Sequence, residues 1–445
     1  MTAAVGSIRT DLVSIVGESG IVTDPDSCAS RRVDLHIPSY VVYPDGAEKV
    51  AAILHLAAEN DLAVVPFRNG TKLSTGNPPR RYDIALSLKE MNRVWHFEAA
   101  DLTISLEPGM KFGDFQEFVG RSGLWLPLDP RGGAQASIGG MIAANATGSL
   151  RQGFGGPRDM VIGLKIATTD GKIVKTGGRV VKNVAGYDLG KLMVGSYGTL
   201  GVIVEVNLKL YPKPPEWVTF AIRVSGLDQV RDLRGSILRS PLDALRLVLL
   251  DAAAVALMRR EHQPERQGAE VWIEIGGSHR VINRCESELG QIAKSVGAGL
   301  SRLEGADALW KCFSDLPAWL QQEHSKVVVL KVALPIAASE EFLSLARQHA
   351  GGVRLAGFAQ MGVGIIHVCL LPETHSANLV ELVERLRKTA VTLGGTLVVE
   401  HCPIEIKGGL DAWGATGDDF EAMRKLKSVW DPKGILAPGR FVGGI

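Results

Sequence analysis

The stretch "VVPFRNGTKLSTG", from Val64 to Gly76, runs a strand into a loop that a simple hairpin would not need. Val64, Val65 and Phe67 carry the β-branched and aromatic side chains typical of a buried strand. The loop that follows, "RNGT" and then Lys72, has one glycine and several backbone N–H groups that can point at an anion. Taken alone, the same four residues would also suit a tight surface turn.

A second glycine-rich segment, "RGGAQASIGGMIAANATGSLRQGFGG" at positions 131–156, favours the anion interpretation. Its side chains are small and weakly charged, so its backbone is expected to lie close to another group. The loop "GGAQASIGG" precedes a predicted helix and can also aim backbone N–H groups at an anion. Two such loops suit a diphosphate, because each phosphoryl group then has its own donors.

The two common nucleotide-binding signatures are absent. "GSYGTLG", at 195–201, has the spacing G-x-x-G-x-x-G, whereas a Rossmann fingerprint needs G-x-G-x-x-G. "GYDLGKL" has the wrong spacing for a P-loop and no hydroxyl after Lys191. A diphosphate site in this chain would therefore be built from the two separate loops.

The composition limits the class of protein. A chain of 445 residues suggests two or three domains. With 49 basic and 48 acidic residues, nucleic acid and anionic membranes are poor candidate partners.

The N-terminus lacks a signal-peptide pattern, and the longest apolar stretch is interrupted by Lys331. We therefore expect a cytoplasmic protein without a transmembrane segment. Such a protein would associate with a membrane only through its partners. The cysteines contain no C-x-x-C pair, which argues against a disulfide framework, a zinc ribbon or a self-held iron–sulfur cluster: Cys28, Cys285, Cys312, Cys369 and Cys402.

Hydrophobic periodicity divides the chain near residue 213. Before it, a helix "AEKVAAILHLAAEN" and several strands are predicted, with a hairpin turning at Asp170 and Gly171 and a long strand "TLGVIVEVNLKLYPKPP" ending at prolines. Beyond it, strands alternate with helices predicted near 229–238, 278–296, 340–349 and 376–393, a pattern typical of two ferredoxin-like halves. The predicted parts are an N-terminal segment (1–36), a first domain (37–213), a second domain (214–400) and a C-terminal segment (401–445) that packs back on the first.

Four segments in this order resemble a known family: "PFRNGTKLSTG", "LPLDPRGGAQASIGGMIAANATG", "VVKNVAGYDLGKLMVGSYGTLGVIVEVNLKLYPKP" and "DPKGILAPGRF". They are similar to FAD-linked oxidases of the vanillyl-alcohol oxidase type and, within these, to the E subunit of bacterial glycolate oxidase. The resemblance runs from about Ile37 to the C-terminus and is strongest up to Pro214. It implies an α+β fold with a p-cresol methylhydroxylase (PCMH)-type, two-subdomain FAD-binding domain, a ferredoxin-like cap domain and a C-terminal return to the FAD domain.

The resemblance also implies which residues hold FAD. Covalent members carry a histidine about where Thr71 stands, so non-covalent FAD is expected. Arg179, Lys182, Asn183, Tyr187 and Asp188 either face the flavin or cap a loop. The residues that the resemblance places along FAD are Arg68, Asn69, Gly70, Thr71, Pro127, Ser137, Gly139, Gly140, Asn145, Gly198, Gly201, Val202 and Ile203.

The substrate side departs from the family pattern. Related D-2-hydroxy-acid dehydrogenases hold a divalent metal and the hydroxy acid with "HVGDGNLH" and "EHG" stretches. Here "QMGVGIIH", residues 360–367, and "EHC", residues 400–402, stand at those places. Gln360 replaces a histidine, and Val363 and Ile365 replace polar residues, so no metal site is expected. His367, Glu400 and His401 remain, although a buried, hydrogen-bonded structural role is an alternative for His367.

The chemistry expected from the resemblance is removal of a hydroxyl proton and transfer of hydride to flavin. His401 is a candidate base and Lys331 a candidate cation for the substrate carboxylate. Family members often carry an arginine after an "LW" pair; Ser314 stands near that place here, so that carboxylate contact is missing.

Three functions remain open at this point. The chain is the FAD-binding subunit of a glycolate or D-lactate oxidase or dehydrogenase complex, with a larger FAD-linked oxidase subunit and an iron–sulfur subunit that receives the electrons. Alternatively it is a self-sufficient FAD-dependent 2-hydroxy-acid dehydrogenase. The third alternative is an assembly module without cofactor, which the two intact loops disfavour.

Overall fold

A computed structural model describes residues 2–179, 188–259, 268–372 and 378–445. The chain folds as two compact units. Unit 1 contains Met1–Ala146, Gly156–Pro212 and Ala415–Ile445, and unit 2 contains Thr147–Gly155 and Lys213–Gly414. The short segment 147–155 thus packs with unit 2, although it lies within the first domain along the sequence.

The α-helices in chain order are α1 (Thr2–Val16), α2 (Pro25–Ala29), α3 (Ala47–Glu59), α4 (Phe112–Gly120), α5 (Ile138–Ala143), α6 (Arg151–Phe154), α7 (Pro157–Met160), α8 (Leu189–Met193), α9 (Leu227–Arg239), α10 (Ala252–Arg259), α11 (His279–Ser295), α12 (Ala306–Glu323), α13 (Ser339–His349), α14 (Leu379–Thr392), α15 (Ile404–Lys407) and α16 (Phe420–Trp430). In the described parts of the chain, none of these helices has the length and apolar character needed to cross a membrane.

The strands are β1 (Ile21–Val22), β2 (Tyr40–Val42), β3 (Val64–Phe67), β4 (Ile84–Ser87), β5 (Val94–Glu98), β6 (Thr103–Leu106), β7 (Leu124–Trp125), β8 (Val161–Ala167), β9 (Ile173–Gly177), β10 (Val202–Lys209), β11 (Tyr211–Pro212), β12 (Glu216–Val224), β13 (Ala244–Asp251), β14 (Ala269–Gly277), β15 (Gly299–Arg302), β16 (Val328–Ala333), β17 (Arg354–Gln360), β18 (Ile365–Leu371) and β19 (Thr396–His401).

Unit 1 contains two main sheets. One has the order β1-β2-β4-β3, with β2 and β3 parallel to β4, and the other is antiparallel with the order β5-β6-β10-β8-β9. The apolar stripe of α3 is buried in the core beside β3 and β4, as its periodicity predicted. The predicted hairpin is β8 and β9, and Gly171 has the positive φ of 80° that its turn requires. The predicted long strand is two strands in the structure, β10 and β11. Strand β10 belongs to the five-stranded sheet, whereas β11 pairs with β7.

Unit 2 is one eight-stranded sheet with the order β15-β12-β14-β13-β17-β18-β16-β19. Each half follows the chain order β-α-β-β-α-β, and in each half the first and third strands are neighbours at the centre. The halves join where β13 pairs with β17. The ferredoxin-like α+β cap predicted from strand and helix alternation is confirmed.

Helices cover both faces of this sheet. The predicted helices α9, α11, α13 and α14 cover one face and share the larger core of unit 2. Helices α10 and α12 pack on the other face around Trp272, Trp310 and Phe358. These two helices, with β15 and β17, were not predicted from the sequence.

A buried ion pair ties α16 to the rest of unit 1. Lys427 Nζ donates to Asp431 Oδ2 at 2.7 Å, to the carbonyl of Thr199 at 2.8 Å and to that of Leu436 at 2.9 Å. Asp431 is fully buried and also accepts from the backbone N–H groups of Ile435 and Leu436. Burial lowers the pKa of Lys427, while Asp431 opposes that shift. The pair therefore fixes the C-terminal segment beside β3, whose Val64 N–H donates to Ile435 O at 2.8 Å.

Replacing Lys427 should destabilise unit 1. In Lys427→Met the carboxylate of Asp431 stays buried without its cation, which costs about 3–5 kcal/mol of unfolding free energy. Lys425→Met, at an exposed position of the same helix, should change it by less than about 0.5 kcal/mol. Urea unfolding monitored by circular dichroism measures both, and equal unfolding midpoints for the two variants would contradict the assignment.

Candidate functional site

Unit 1 contains a cleft of about 930 Å³ that is partly open to solvent. The end of β3 and the loop after it form one wall, and the N-terminal part of α5 forms another. Tyr197, Gly198 and the start of β10 line it as well, together with Arg440 from the C-terminal segment. A concave site lined by apolar side chains and a few convergent polar groups is typical of small-molecule and cofactor sites.

The loop after β3 presents three backbone donors in succession. Within the described chain, the N–H groups of Asn69, Gly70 and Thr71 donate no hydrogen bond to protein atoms. Gly70 has a positive φ of 72°, and its carbonyl accepts from Leu73 N–H at 3.0 Å, which closes the turn behind these donors. Successive unpaired N–H groups in such a turn form a concave site for an anion.

Side chains hold this loop in place. Arg68 Nε donates to the carbonyl of Gly109 at 3.0 Å, and its guanidinium contacts the side chain of Asn69. Asn69 Nδ2 donates in turn to the carbonyl of Gln135 at 2.7 Å. Burial lowers the pKa of Arg68. The donors are therefore positioned before any ligand binds.

The glycine-rich segment lines the same cleft in a different way. Ser137 Oγ caps α5 by accepting from Gly140 N–H at 3.3 Å. The N–H groups of Ile138 and Gly139 donate to the carbonyls of Met110 and Pro108, at 3.0 and 2.8 Å. These amides are already paired because α5 docks on residues 108–110. At Ile138, Gly139 and Gly140 the segment thus supplies surface and close backbone approach, and a second N–H cradle in the loop before α5 stays a prediction.

Most residues that the sequence assigned to FAD line this one cleft. The exceptions are Pro127, which is buried elsewhere in unit 1, and Asn145, which follows α5. The Oδ1 atom of Asn145 is buried and has no hydrogen-bond partner in the described chain. The residues brought together are Arg68, Asn69, Gly70, Thr71, Ser137, Gly139, Gly140, Gly198, Gly201, Val202 and Ile203.

Arg440 and Tyr197 are among the lining residues that sequence reasoning missed. Arg440 is buried, and its Nη2 donates to the carbonyls of Leu73 and Thr75 at 2.6 and 2.7 Å. Burial lowers its pKa, while Asp34 opposes that shift. Tyr197, whose ring lies 5.5 Å from that of Phe441, also lines the cleft. Arg440 lies in the quoted C-terminal segment, but no spacing rule connects it with a loop some 365 residues earlier.

Five further residues were predicted either to face the flavin or to cap a loop, and the structure describes two of them, Arg179 and Asp188. Asp188 Oδ1 accepts from Lys191 N–H at 3.2 Å and caps α8, which agrees with the capping alternative, and Arg179 is exposed. Lys182, Asn183 and Tyr187 lie outside the described residues.

In unit 2 the predicted catalytic residues share one face of the sheet. Lys331 on β16 lies directly opposite His367 on β18, and His367 lies opposite Phe358 on β17. Residues opposite each other on antiparallel strands point to the same face, with their Cβ atoms about 4.5–5.5 Å apart. His367 is buried, and its Nε2 lies 3.8 Å from Glu400 Oε2.

A β-bulge on β19 brings Glu400 to this face. The pairing passes from Leu330 opposite Val399 to Val329 opposite His401, so Glu400 is the extra residue. Lys331 is half-buried and makes no ion pair with any described residue. We refer to Lys331, Gln360, His367, Glu400 and His401 as the polar row of unit 2. It combines one uncompensated cation with a histidine–carboxylate pair.

A nearby arginine does not replace Lys331 as the free cation. Arg246 Nη1 lies 3.1 Å from Glu274 Oε2, and its guanidinium stacks 4.6 Å from the ring of Trp310. Its charge is therefore balanced within unit 2. Among the described residues no group of three or more His, Cys, Asp or Glu side chains could hold a metal ion.

Two family profiles cover most of the sequence. The profile described as "FAD binding domain" matches residues 38–177, and "FAD linked oxidases, C-terminal domain" matches residues 213–441. Among curated proteins, the chain is 28% identical to glycolate oxidase subunit GlcD of Bacillus subtilis, over 98% of this chain and 96% of that protein. It is 30% identical to D-lactate dehydrogenase of Archaeoglobus fulgidus, over 90% and 91% of the two chains.

Solved structures show the same fold. Substrate-bound p-cresol methylhydroxylase matches with a TM-score of 0.77 at 14% identity, covering 99% of this chain and 97% of that one. Alkyldihydroxyacetonephosphate synthase matches with a TM-score of 0.77 at 16% identity, covering 97% and 84%. At such identities the likeness concerns the fold, and it confirms the PCMH-type architecture predicted from the four segments.

The cleft of unit 1 fits FAD. A diphosphate needs clustered donors and positive charge, and the unpaired N–H groups of Asn69, Gly70 and Thr71 lie in the same cleft as the buried guanidinium of Arg440. Asn145, whose Oδ1 has no partner in the described chain, directly follows Ala144, which lines the cleft. N–H groups without an acceptor cost stability, and an anion in the cleft would satisfy them.

Gly70→Val should abolish FAD binding. A β-branched residue is strained at this positive φ, and its side chain would meet Leu73, whose Cδ1 lies 3.0 Å from the Cβ position. The expected FAD content, measured after acid precipitation, is below about a tenth of wild type, since the loss of a charged diphosphate contact costs about 1.5–3 kcal/mol for each hydrogen bond.

Gly123→Val is the matched control. Gly123 has a similar φ of 70° and nothing within 4 Å of its Cβ position, and it lies outside the cleft. This variant and Gln360→Ala should both keep their FAD. Full FAD content in Gly70→Val would contradict the assignment of the loop.

Proposed function

This chain belongs to the FAD-linked oxidase family, and we propose that it oxidises a small 2-hydroxy acid to the 2-oxo acid. Membership makes it an FAD-dependent oxidoreductase. The observation that carries the proposal is the polar row, in which Lys331 makes no ion pair with any residue that the structure describes and lies opposite His367, the partner of Glu400. A 2-hydroxy acid has a carboxylate that Lys331 could bind and a hydroxyl that the His367–Glu400 pair could contact.

The names of the relatives support this substrate class. They include a glycolate oxidase subunit, D-lactate dehydrogenases and a D-2-hydroxyglutarate dehydrogenase from Stutzerimonas stutzeri, which is 25% identical over 97% of this chain and 98% of that protein. Each of these names refers to the oxidation of a 2-hydroxy acid. We propose glycolate or D-lactate as the substrate.

The polar row can divide the chemistry among its residues. Lys331 binds the substrate carboxylate, because an unpaired, half-buried ammonium gains most from an anionic partner. His401 takes the hydroxyl proton as general base, and Glu400 orients His367 next to it. FAD, when bound in unit 1, would supply the acceptor for the hydride that leaves carbon 2. Two electrons and one hydrogen leave as hydride and one proton goes to the base, which leaves a 2-oxo acid.

We further propose that FAD is held without a covalent bond, since Thr71 stands in the loop where covalent members carry a histidine. Threonine has no ring nitrogen with which to attack the flavin. The acid-precipitation measurement tests this as well, because a covalent flavin would stay with the pellet.

The oxidation would use a partner for electron transfer. We propose that the chain is the FAD-binding subunit of a complex with a larger FAD-linked oxidase subunit and an iron–sulfur subunit. The name of the Bacillus relative, a glycolate oxidase subunit, supports an assembly of several chains. Among the described residues no cysteine cluster could hold iron, so a cluster would have to come from another chain.

A self-sufficient dehydrogenase is the second candidate. It is favoured by the match to 91% of the length of the Archaeoglobus D-lactate dehydrogenase, because the chain then lacks no large part of that protein.

Mixing the FAD-loaded chain anaerobically with glycolate or D-lactate distinguishes the self-sufficient dehydrogenase from the subunit of a complex. Rapid bleaching of the isolated chain supports self-sufficiency, and bleaching only after co-expression with partner subunits supports the complex. No bleaching in either setting would contradict the proposed activity.

Lys331→Met should weaken substrate binding. Removing the ammonium leaves the carboxylate without its charged partner, which costs about 1.5–3 kcal/mol and raises KM about 10- to 100-fold. FAD content should not change. Lys311→Met, at an exposed position of α12, is the control and should leave KM unaltered. An unchanged KM in Lys331→Met would remove this residue from the site.

A further inference from the structure

Gln360 ends β17 with its side chain buried in unit 2. It lies opposite Val248 on β13 and Ile365 on β18, and it is only 4% exposed. Its Oε1 atom has no hydrogen-bond partner among the described residues. A buried amide oxygen without a donor is unfavourable, so the site lacks a group that would donate to it.

A second carboxamide lies at the same end of β17. Gln152, on the short helix α6, also has a buried Oε1 without a partner in the described chain. It lies against Gly362, two residues after Gln360, so closely that a Cβ at Gly362 would overlap the amide of Gln152. Gln152 thus lies at the turn that follows β17, two residues beyond the end of the polar row at Gln360, and neither Oε1 atom has a donor among the described residues.

The same residues do not fit the divalent cation that the family resemblance implies. Gln360 stands where relatives carry a metal-binding histidine, and the nearby Val363 and Ile365 have no donor atoms. Transition metals prefer imidazole, thiolate and carboxylate ligands to a neutral amide. Without an imidazole at position 360, His367 and Glu400 fall short of the three or more ligands that a typical site requires.

We propose that unit 2 holds the hydroxyl group of its 2-hydroxy acid with the carboxamides of Gln360 and Gln152, and that no divalent cation takes part. This inference rests on the proposed function. An amide oxygen accepts the O–H hydrogen bond but is too weak a base to remove the proton. The two glutamines are thus substrate-binding residues that orient the hydroxyl, and the proton still passes to a histidine.

Metal dependence is the first test and needs no variant. The FAD-loaded wild type is dialysed against EDTA, its metal content is measured by mass spectrometry, and flavin reduction by D-lactate is followed anaerobically. We expect far less than one divalent metal per chain and an unchanged rate of reduction. About one metal per chain, whose removal stops reduction, would overturn the proposal.

Gln360→Met tests the hydrogen bond, because methionine has nearly the same length but no strong acceptor. We expect KM for the hydroxy acid to rise about tenfold or more, with a smaller change in kcat and unchanged FAD content. Gln152→Met should raise KM in the same direction. Gln321→Met makes the same chemical change at an exposed position of α12 and should have no effect. An unchanged KM in Gln360→Met contradicts the role.

Gln360→His tests the missing metal ligand without relying on turnover. The new imidazole would join His367 and Glu400, so this variant should bind Zn²⁺ in calorimetry while the wild type does not. Binding by the wild type, or none by the variant, overturns the assignment of Gln360 as the replacement for a metal ligand. If no 2-hydroxy acid reduces the flavin, the proposed function fails, whereas this titration still reports on the metal.

Discussion

The feature on which unit 1 depends most is a set of three backbone N–H groups, at Asn69, Gly70 and Thr71, that have no acceptor among the described residues. They stay together because the turn is closed behind them and because Arg68 and Asn69 are tied to neighbouring segments. The C-terminal segment reinforces the loop through the buried guanidinium of Arg440, and the Lys427–Asp431 pair keeps that segment in place. Much of unit 1 thus serves to hold an anion site whose donors find no acceptor in the described part of the chain.

Unit 2 also contains polar groups that the described residues leave without partners, but here they are side chains and not backbone N–H groups. Its sheet buries two extensive apolar faces, yet one face carries a histidine–carboxylate pair, a lysine without an ion pair among the described residues and the carboxamide of Gln360, whose Oε1 has no partner there either. The bulge at Glu400 shows how the backbone departs from regular pairing to bring a side chain to this face. Polar groups left unsatisfied in an otherwise well-packed domain cost stability, and a ligand that satisfies them recovers it.

Sequence reasoning was most successful where a local pattern determines the structure. The stripe of α3, the hairpin at Gly171 and the two ferredoxin-like halves follow from periodicity and turn chemistry, and the structure confirms them. Local patterns do not determine long-range packing. The docking of α5 on residues 108–110, which uses the N–H groups of Ile138 and Gly139, has no signal in the local sequence. Arg440 and Gln152 lie far along the chain from the residues they approach, so no spacing rule could assign them.

The central claim is that the loop after β3 binds the diphosphate of FAD through its backbone. A crystal structure of the FAD-loaded protein tests it most directly. We expect phosphate oxygens within about 2.7–3.2 Å of the backbone nitrogens of Asn69, Gly70 and Thr71. A diphosphate bound elsewhere in the cleft, with these three N–H groups still lacking an acceptor, would contradict the account.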